Sequence, residues 1–175
     1  MTKLEKGLVQ VYTGNGKGKT TAAFGLALRA VGRGLKVYVI QFIKGGFDYG
    51  ELYVVDKLQG LTLKAFGKGK FIIGKPEAVD VVKAREALKL TKEVVSGGKY
   101  DLVVLDEVNV ALHLGLIGLD DVLRLVREKP VHVELVLTGR NAPDEILQVA
   151  DLVTEMREVK HPYSKGVPAR KGIEY

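Results

Sequence analysis

Hydrophobic positions along this chain fall into two kinds of segment. Short apolar runs, such as Gly7-Leu8-Val9-Gln10-Val11-Tyr12 and the unbroken Leu102-Val103-Val104-Leu105, have the length and β-branched content of buried strands. Longer segments repeat apolar residues at helical spacing, as in Val81, Ala84, Leu88, Thr91 and Val95, which share one face. The pattern predicts strands near 7–13, 35–42, 61–66, 101–105, 131–138 and 151–157, and helices near 19–32, 76–96, 107–113, 119–128 and 143–149. Pro76 suits a first helical position, Gly97-Gly98 a stop, and Pro143 another helix start. Strands alternating with helices imply an α/β, doubly wound, mostly parallel sheet with helices on both faces. No repeat, linker or low-complexity tract interrupts the pattern, so residues 1–175 are expected to form a single domain.

Composition narrows the class. The chain is 46% hydrophobic and 27% charged, as in globular proteins, and no window holds 18 consecutive apolar residues, so no membrane span is expected. Its first residues, Met1-Thr2-Lys3-Leu4-Glu5-Lys6, lack the apolar core of a signal peptide, and a cytoplasmic location is the expectation. The absence of cysteine excludes disulfides, thiolate metal sites and cysteine nucleophiles. His113, His132 and His161 are scattered and show no metal-ligand spacing. A net charge of +6 admits a nucleic-acid partner, but the 27 basic residues are dispersed among 21 acidic ones. Polyphosphate or an acidic partner suits that distribution better, and no nucleic acid is expected.

Thr13-Gly14-Asn15-Gly16-Lys17-Gly18-Lys19-Thr20-Thr21 stands between a predicted strand and a predicted helix, the context of a P-loop. Glycines let the backbone curl so that N–H groups converge on one anion, and the helix N-terminus adds its unpaired donors. Lys19 offers a cation to the distal phosphates, and Thr20 a hydroxyl to Mg²⁺. The usual pattern asks for glycine where Thr13 stands. A glycine-rich turn without nucleotide is the alternative; the flanking elements favour the cradle. With it, the expected fold is a P-loop, RecA-like one.

A second half of the site follows. Leu105-Asp106-Glu107 ends an apolar strand in two carboxylates, hard oxygen donors that suit Mg²⁺. Such a strand is expected to lie beside the first one; the same acids also suit a helix N-terminus. Arg140, after Leu137-Thr138-Gly139, offers paired donors to phosphate or is a plain surface arginine. Ile43 to Gly50 and Gly67 to Gly74 follow strand ends, where doubly wound sheets bind ligands, and carry large apolar groups including Phe47, Tyr49, Phe71, Ile72 and Ile73.

These pieces resemble one family, the P-loop ATP:corrinoid (cob(I)alamin) adenosyltransferases. The resemblance rests on Gly14 to Gly25, Val39-Ile40-Gln41-Phe42-Ile43-Lys44-Gly45, Leu105-Asp106-Glu107, Thr138-Gly139-Arg140, Lys160-His161-Pro162-Tyr163 and Gly172-Ile173-Glu174-Tyr175. Thr13 is ordinary in that family. The resemblance implies transfer of the 5′-deoxyadenosyl group of ATP to the Co(I) of a reduced corrinoid, cobyrinic acid a,c-diamide or cobalamin, with release of triphosphate. Lys19 and Arg140 would carry the catalysis, and Gly14, Asn15, Gly16, Lys17, Gly18, Lys19, Thr20 and Thr21 would hold ATP, Asn15 toward the nucleoside. Thr20, Asp106 and Glu107 would hold Mg²⁺, with Mn²⁺ as a substitute. Phe71, with Ile72, would be the apolar wedge that displaces the lower corrinoid ligand, although relatives place a Phe and a Trp there and this chain has no Trp. A flavodoxin-like or flavin reductant and a homodimer are further implications.

Two other functions fit the residues alone. One is a P-loop ATPase or small-molecule kinase, in which Glu107 orients water or a hydroxyl and the products are ADP and phosphate. The other is a RecA-like nucleic-acid binder, favoured only by charge.

Overall fold

A computed structural model describes residues 4–45, 49–69, 72 and 74–175. Phe47, Lys70, Phe71 and Ile73, and with them the expected wedge residue, lie outside the described residues. The elements run β1 Val9–Thr13, α1 Lys19–Gly32, β2 Val37–Gln41, α2 Leu52–Val55, β3 Leu61–Ala65, α3 Ala78–Ser96 and β4 Leu102–Asp106. They continue α4 Val108–His113, α5 Leu119–Glu128, β5 Glu134–Thr138, α6 Asp144–Val149 and β6 Leu152–Glu155, with a 3₁₀ turn at Pro162–Lys165.

The six strands form one sheet in the order β3-β2-β4-β5-β1-β6, and every pair is parallel. A parallel sheet buries both faces, and β4 obeys this most fully. Leu102 and Val104 face the layer of α1, with Ala23, Ala27 and Ala30, while Val103 and Leu105 face the larger cluster formed with α3, α4, α5 and α6. Alanines on the inner side of α1 let that helix pack closely over β4 and β5. Ala84, Leu88, Thr91 and Val95 of α3 are buried and Val81 packs beside them, as the periodicity predicts.

Several boundaries differ from expectation. Helix α3 starts at Ala78, because Glu77 caps it: its side chain accepts from Asp80 N–H, and Asp80 Oδ2 accepts from Glu77 N–H at 2.9 Å. Pro76 therefore precedes the cap instead of opening the helix. Pro143 likewise occupies the N-cap position before Asp144. The segments expected to start at 131 and to end at 157 contribute only Glu134–Thr138 and Leu152–Glu155 as strand. Helix α2 was not anticipated; its four residues bury nothing fully and carry no helical period.

The strand order brings a larger correction. β4 does not lie beside β1, because β5 stands between them. The acid at the end of β4 meets the P-loop region all the same, since α1 crosses both β4 and β5.

Candidate active site

Four neighbouring strands, β2, β4, β5 and β1, end in buried polar residues: Gln41, Asp106, Thr138 and Thr13. A polar side chain closing an apolar strand is costly unless satisfied; Gln41 and Thr138 both bond to the Asp106 carboxylate, and Thr13 Oγ1 accepts from Ala142 N–H at 3.4 Å. Asp106, fully buried, accepts from Thr20 Oγ1 at 2.9 Å and Thr138 Oγ1 at 2.8 Å on Oδ1. On Oδ2 it accepts from Gln41 Nε2 at 3.1 Å and pairs with Lys44 Nζ at 3.0 Å. Lys44 Nζ also donates to Thr20 Oγ1 at 2.8 Å and lies 5.5 Å from the Tyr49 ring centre. An ammonium thus sits between the P-loop hydroxyl and the strand-end carboxylate. Burial alone would lower the Lys44 pKa, but the charge and hydrogen bond of Asp106, with the charges of Glu107 and Glu51, together outweigh it and leave it raised.

Beside it, Glu107 takes a left-handed backbone conformation, φ 62° and ψ 21°, that a non-glycine residue adopts at a cost of order 1 kcal/mol. Its N–H is held by Thr138 Oγ1 at 3.0 Å. Its side chain lines the cleft and makes no hydrogen bond to a described residue. Desolvation first, then the neighbouring Asp106, raises its pKa above the ordinary 4.5.

The loop between β1 and α1 wraps the Lys19 side chain. Lys19 Nζ donates to Gly14 O and Gly16 O, both at 2.7 Å, which occupies two of its three hydrogens. Burial lowers the Lys19 pKa, Arg140 and Lys44 press the same way, and Glu107 and Asp106 oppose them. Gly14 and Gly18 have φ of 90° and 122°, open to glycine at little cost. Gly16 N–H donates to Met156 O at 2.6 Å, and a Cβ at Gly16 would lie 2.7 Å from that oxygen. The residue after β6 therefore pins the loop from outside.

Arg140 is exposed and lines the same cleft; Gly139 before it has φ of 132° and abuts Asn109. Asn15, Gly16, Lys17, Gly18, Lys19, Thr20 and Thr21 all border this cleft, of about 630 Å³, while Gly14 sits beneath through its carbonyl. Away from the cations the wall turns apolar, with Phe24 and Leu28 of α1, Val54 of α2, Leu58 and Leu61. The carboxyl-terminal segment closes a third side: Glu174 Oε1 pairs with Lys17 Nζ at 2.8 Å, and Arg170 holds the same carboxylate.

The structure thus unites Lys19, Thr20, Asp106, Glu107 and Arg140. Roles for Gln41, Lys44, Thr138, Met156 and Glu174 were not foreseen. For Gln41 and Thr138 the signal was a polar residue closing an apolar strand, meaningful only once the strand order is known; Lys44, Met156 and Glu174 lie outside the strands. For Mg²⁺ the donor set fits: hydroxyl and carboxylate oxygens, few in number, around a position that already accommodates a cation. Among the described residues no group of three or more His, Cys, Asp or Glu is placed to hold a metal ion.

Fold and site together define a P-loop protein of the RecA-like α/β class. A KaiC-like protein from the hyperthermophilic archaeon Pyrococcus horikoshii OT3 shares that fold, with a TM-score of 0.57 and 19% identity over 90% of this chain and 76% of the other. A family model described as ATP:corrinoid adenosyltransferase BtuR/CobO/CobP matches residues 5–175, and the chain belongs to that family. Curated relatives agree. A corrinoid adenosyltransferase of Sinorhizobium sp is 40% identical over 98% of this chain and 81% of its own length. One from Escherichia coli K12 is 39% identical over 98% and 87%. The chain is an adenosyltransferase.

Proposed function

We propose that this enzyme moves the 5′-deoxyadenosyl group of ATP onto the cobalt of a reduced corrinoid. The Co(I) electron pair forms the bond to C5′ as the C5′–O bond breaks, and the bonding electrons leave with triphosphate. The nucleophile belongs to the substrate, so no protein base is required. What the protein must supply is orientation, exclusion of water and positive charge at the departing phosphates. The observation that carries this reading is a single cleft whose cationic end, Lys19, Lys44 and Arg140, adjoins an apolar wall at Phe24, Leu28 and Val54.

Residues Gly14 to Thr21 cradle the phosphates, with Asn15 toward the nucleoside, and Lys19 and Arg140 neutralise the leaving group. Thr20, Asp106 and Glu107 hold Mg²⁺, or Mn²⁺ in its place, with Thr20 Oγ1 and Asp106 already in hydrogen-bond contact. The metal, when bound, screens phosphate charge. Phe71 remains the proposed wedge beneath the corrinoid. Reduction to Co(I) calls for an electron donor of the flavodoxin or flavin type. A homodimer is supported by Leu152 and Val153, 41% and 45% exposed on edge strand β6. No helix among the described residues is long and apolar enough to cross a membrane; ATP as substrate supports a cytoplasmic site of action.

Incubation with ATP, Mg²⁺ and chemically reduced cobalamin tests the reading. Triphosphate and an adenosylated corrinoid are expected in equal amounts. ADP and phosphate, formed without regard to corrinoid, would overturn it in favour of an ATPase or kinase.

A further inference from the structure

The ammonium of Lys44 lies where a divalent cation would be expected to bind. It touches Thr20 Oγ1 at 2.8 Å and Asp106 Oδ2 at 3.0 Å, the hydroxyl and carboxylate that bracket the proposed metal position. Its side chain is 17% exposed and that of Asp106 is fully buried, so this is a shielded ion pair rather than a surface contact. Asp106 needs a cation: three neutral donors do not neutralise a carboxylate at the centre of the sheet edge. Lys44 is also tethered where movement is feasible. It follows β2 by three residues, in a segment with no regular structure, and the far side of its ammonium faces Tyr49.

We propose that Lys44 is a resident counter-cation that holds the metal position until metal–ATP displaces it. The exchange has two consequences. Asp106 is never left as a bare buried anion, so the empty site stays ordered. Metal binding must compete with a positive charge already in place, so a divalent ion alone binds poorly. ATP tips the balance, because its phosphates give the displaced ammonium a new anionic partner. Lys44 thereby couples metal entry to nucleotide entry. This inference rests on the metal position proposed above.

The test uses Mn²⁺ as probe, its protein-bound fraction measured by ultrafiltration that passes free Mn²⁺ and Mn²⁺–ATP, with and without ATP. Lacking reduced corrinoid, the enzyme leaves ATP intact under the proposed reaction. Wild-type protein is expected to bind Mn²⁺ measurably only with ATP. Lys44→Met should bind one Mn²⁺ without nucleotide, at least about tenfold more tightly than wild type, since a repelling charge a few ångströms away is gone. Lys44→Arg, which keeps the charge, should behave as wild type does. Lys44→Gln substitutes for Lys44→Met should the latter fail to fold. Equal or weaker nucleotide-free Mn²⁺ binding by the neutral variant overturns the inference while leaving the metal reading intact. No Mn²⁺ binding by wild type even with ATP overturns both.

Discussion

Thr20 at the start of α1 and Thr138 at the end of β5 donate to the same oxygen, Oδ1 of Asp106, at 2.9 and 2.8 Å. One carboxylate oxygen therefore ties the P-loop helix to the centre of the sheet, while its twin holds Gln41 and Lys44. Removing the carboxylate orphans four donors at once, one of them charged. Asp106→Leu is expected to cost about 3–5 kcal/mol of stability, the range for breaking a buried pair from one side. The double variant with Lys44→Met should recover part of the loss, because no unpaired ammonium remains. Urea denaturation measures both; a loss under about 1 kcal/mol for Asp106→Leu would contradict this account.

Lys19 is proposed to serve the chemistry more than the fold. Its ammonium bonds only to the carbonyls of Gly14 and Gly16 among the described residues. Lys19→Ala is expected to lower adenosylation by about a hundred- to a thousandfold or more, since charge on the leaving triphosphate goes unmatched. Near-normal triphosphate release by a variant with wild-type circular dichroism would refute the assignment.

Glu107, held in a left-handed conformation with its carboxylate toward the cleft, is expected to act through the metal. Glu107→Gln should raise the Mg²⁺ concentration for half-maximal turnover by about tenfold or more and leave the corrinoid KM within about twofold. Titrations of each against initial rate separate the two. An unchanged Mg²⁺ response with a weakened corrinoid KM would assign Glu107 to the other substrate.

The carboxyl-terminal clip titrates in acid. Hydrogen bonds from Arg170, and then from Lys17, hold the Glu174 carboxyl at about 2, below the ordinary 4.5. A depressed carboxylate favours the docked tail above its free pKa, and that contribution disappears as pH falls through about 2. The clip is therefore intact at neutral pH, and Glu174→Gln should expose the bonds after Arg170 and Lys171 to faster tryptic cleavage there. Carboxyl chemical shifts followed by NMR should show Glu174 titrating near 2, and a midpoint near 4.5 would mean that the clip does not persist in solution.

Much of this was legible before any coordinates. The unbroken run Leu102 to Leu105 announced a strand covered on both sides, and the glycine spacing around Lys19 announced an anion cradle. Both are local patterns that record local constraints. The illegible part was relational. That β5 separates β4 from β1 follows from pairing between distant segments, and without it Thr138 is one threonine among many. Gln41 and Lys44 stood in a recognised motif, yet their shared partner lies 65 residues from Gln41, on the neighbouring strand β4. Helix α2 escaped because a four-residue turn with no fully buried side chain leaves no hydrophobic period to find.

The hydrogen bond from Gly16 to the carbonyl of Met156 joins the first loop of the chain to the exit of its last strand. Among the described residues β6 pairs only with β1, at the sheet's edge, and all four of its residues are exposed. During synthesis, β1 and the P-loop leave the ribosome before β6, and the contact that shapes Gly16 cannot form until residue 156 has emerged. The nascent chain thus carries the P-loop sequence without that contact while the residues between the two are made. The Gly16 contact forms only when the edge strand docks, so this part of the loop depends on a residue made 140 positions after it.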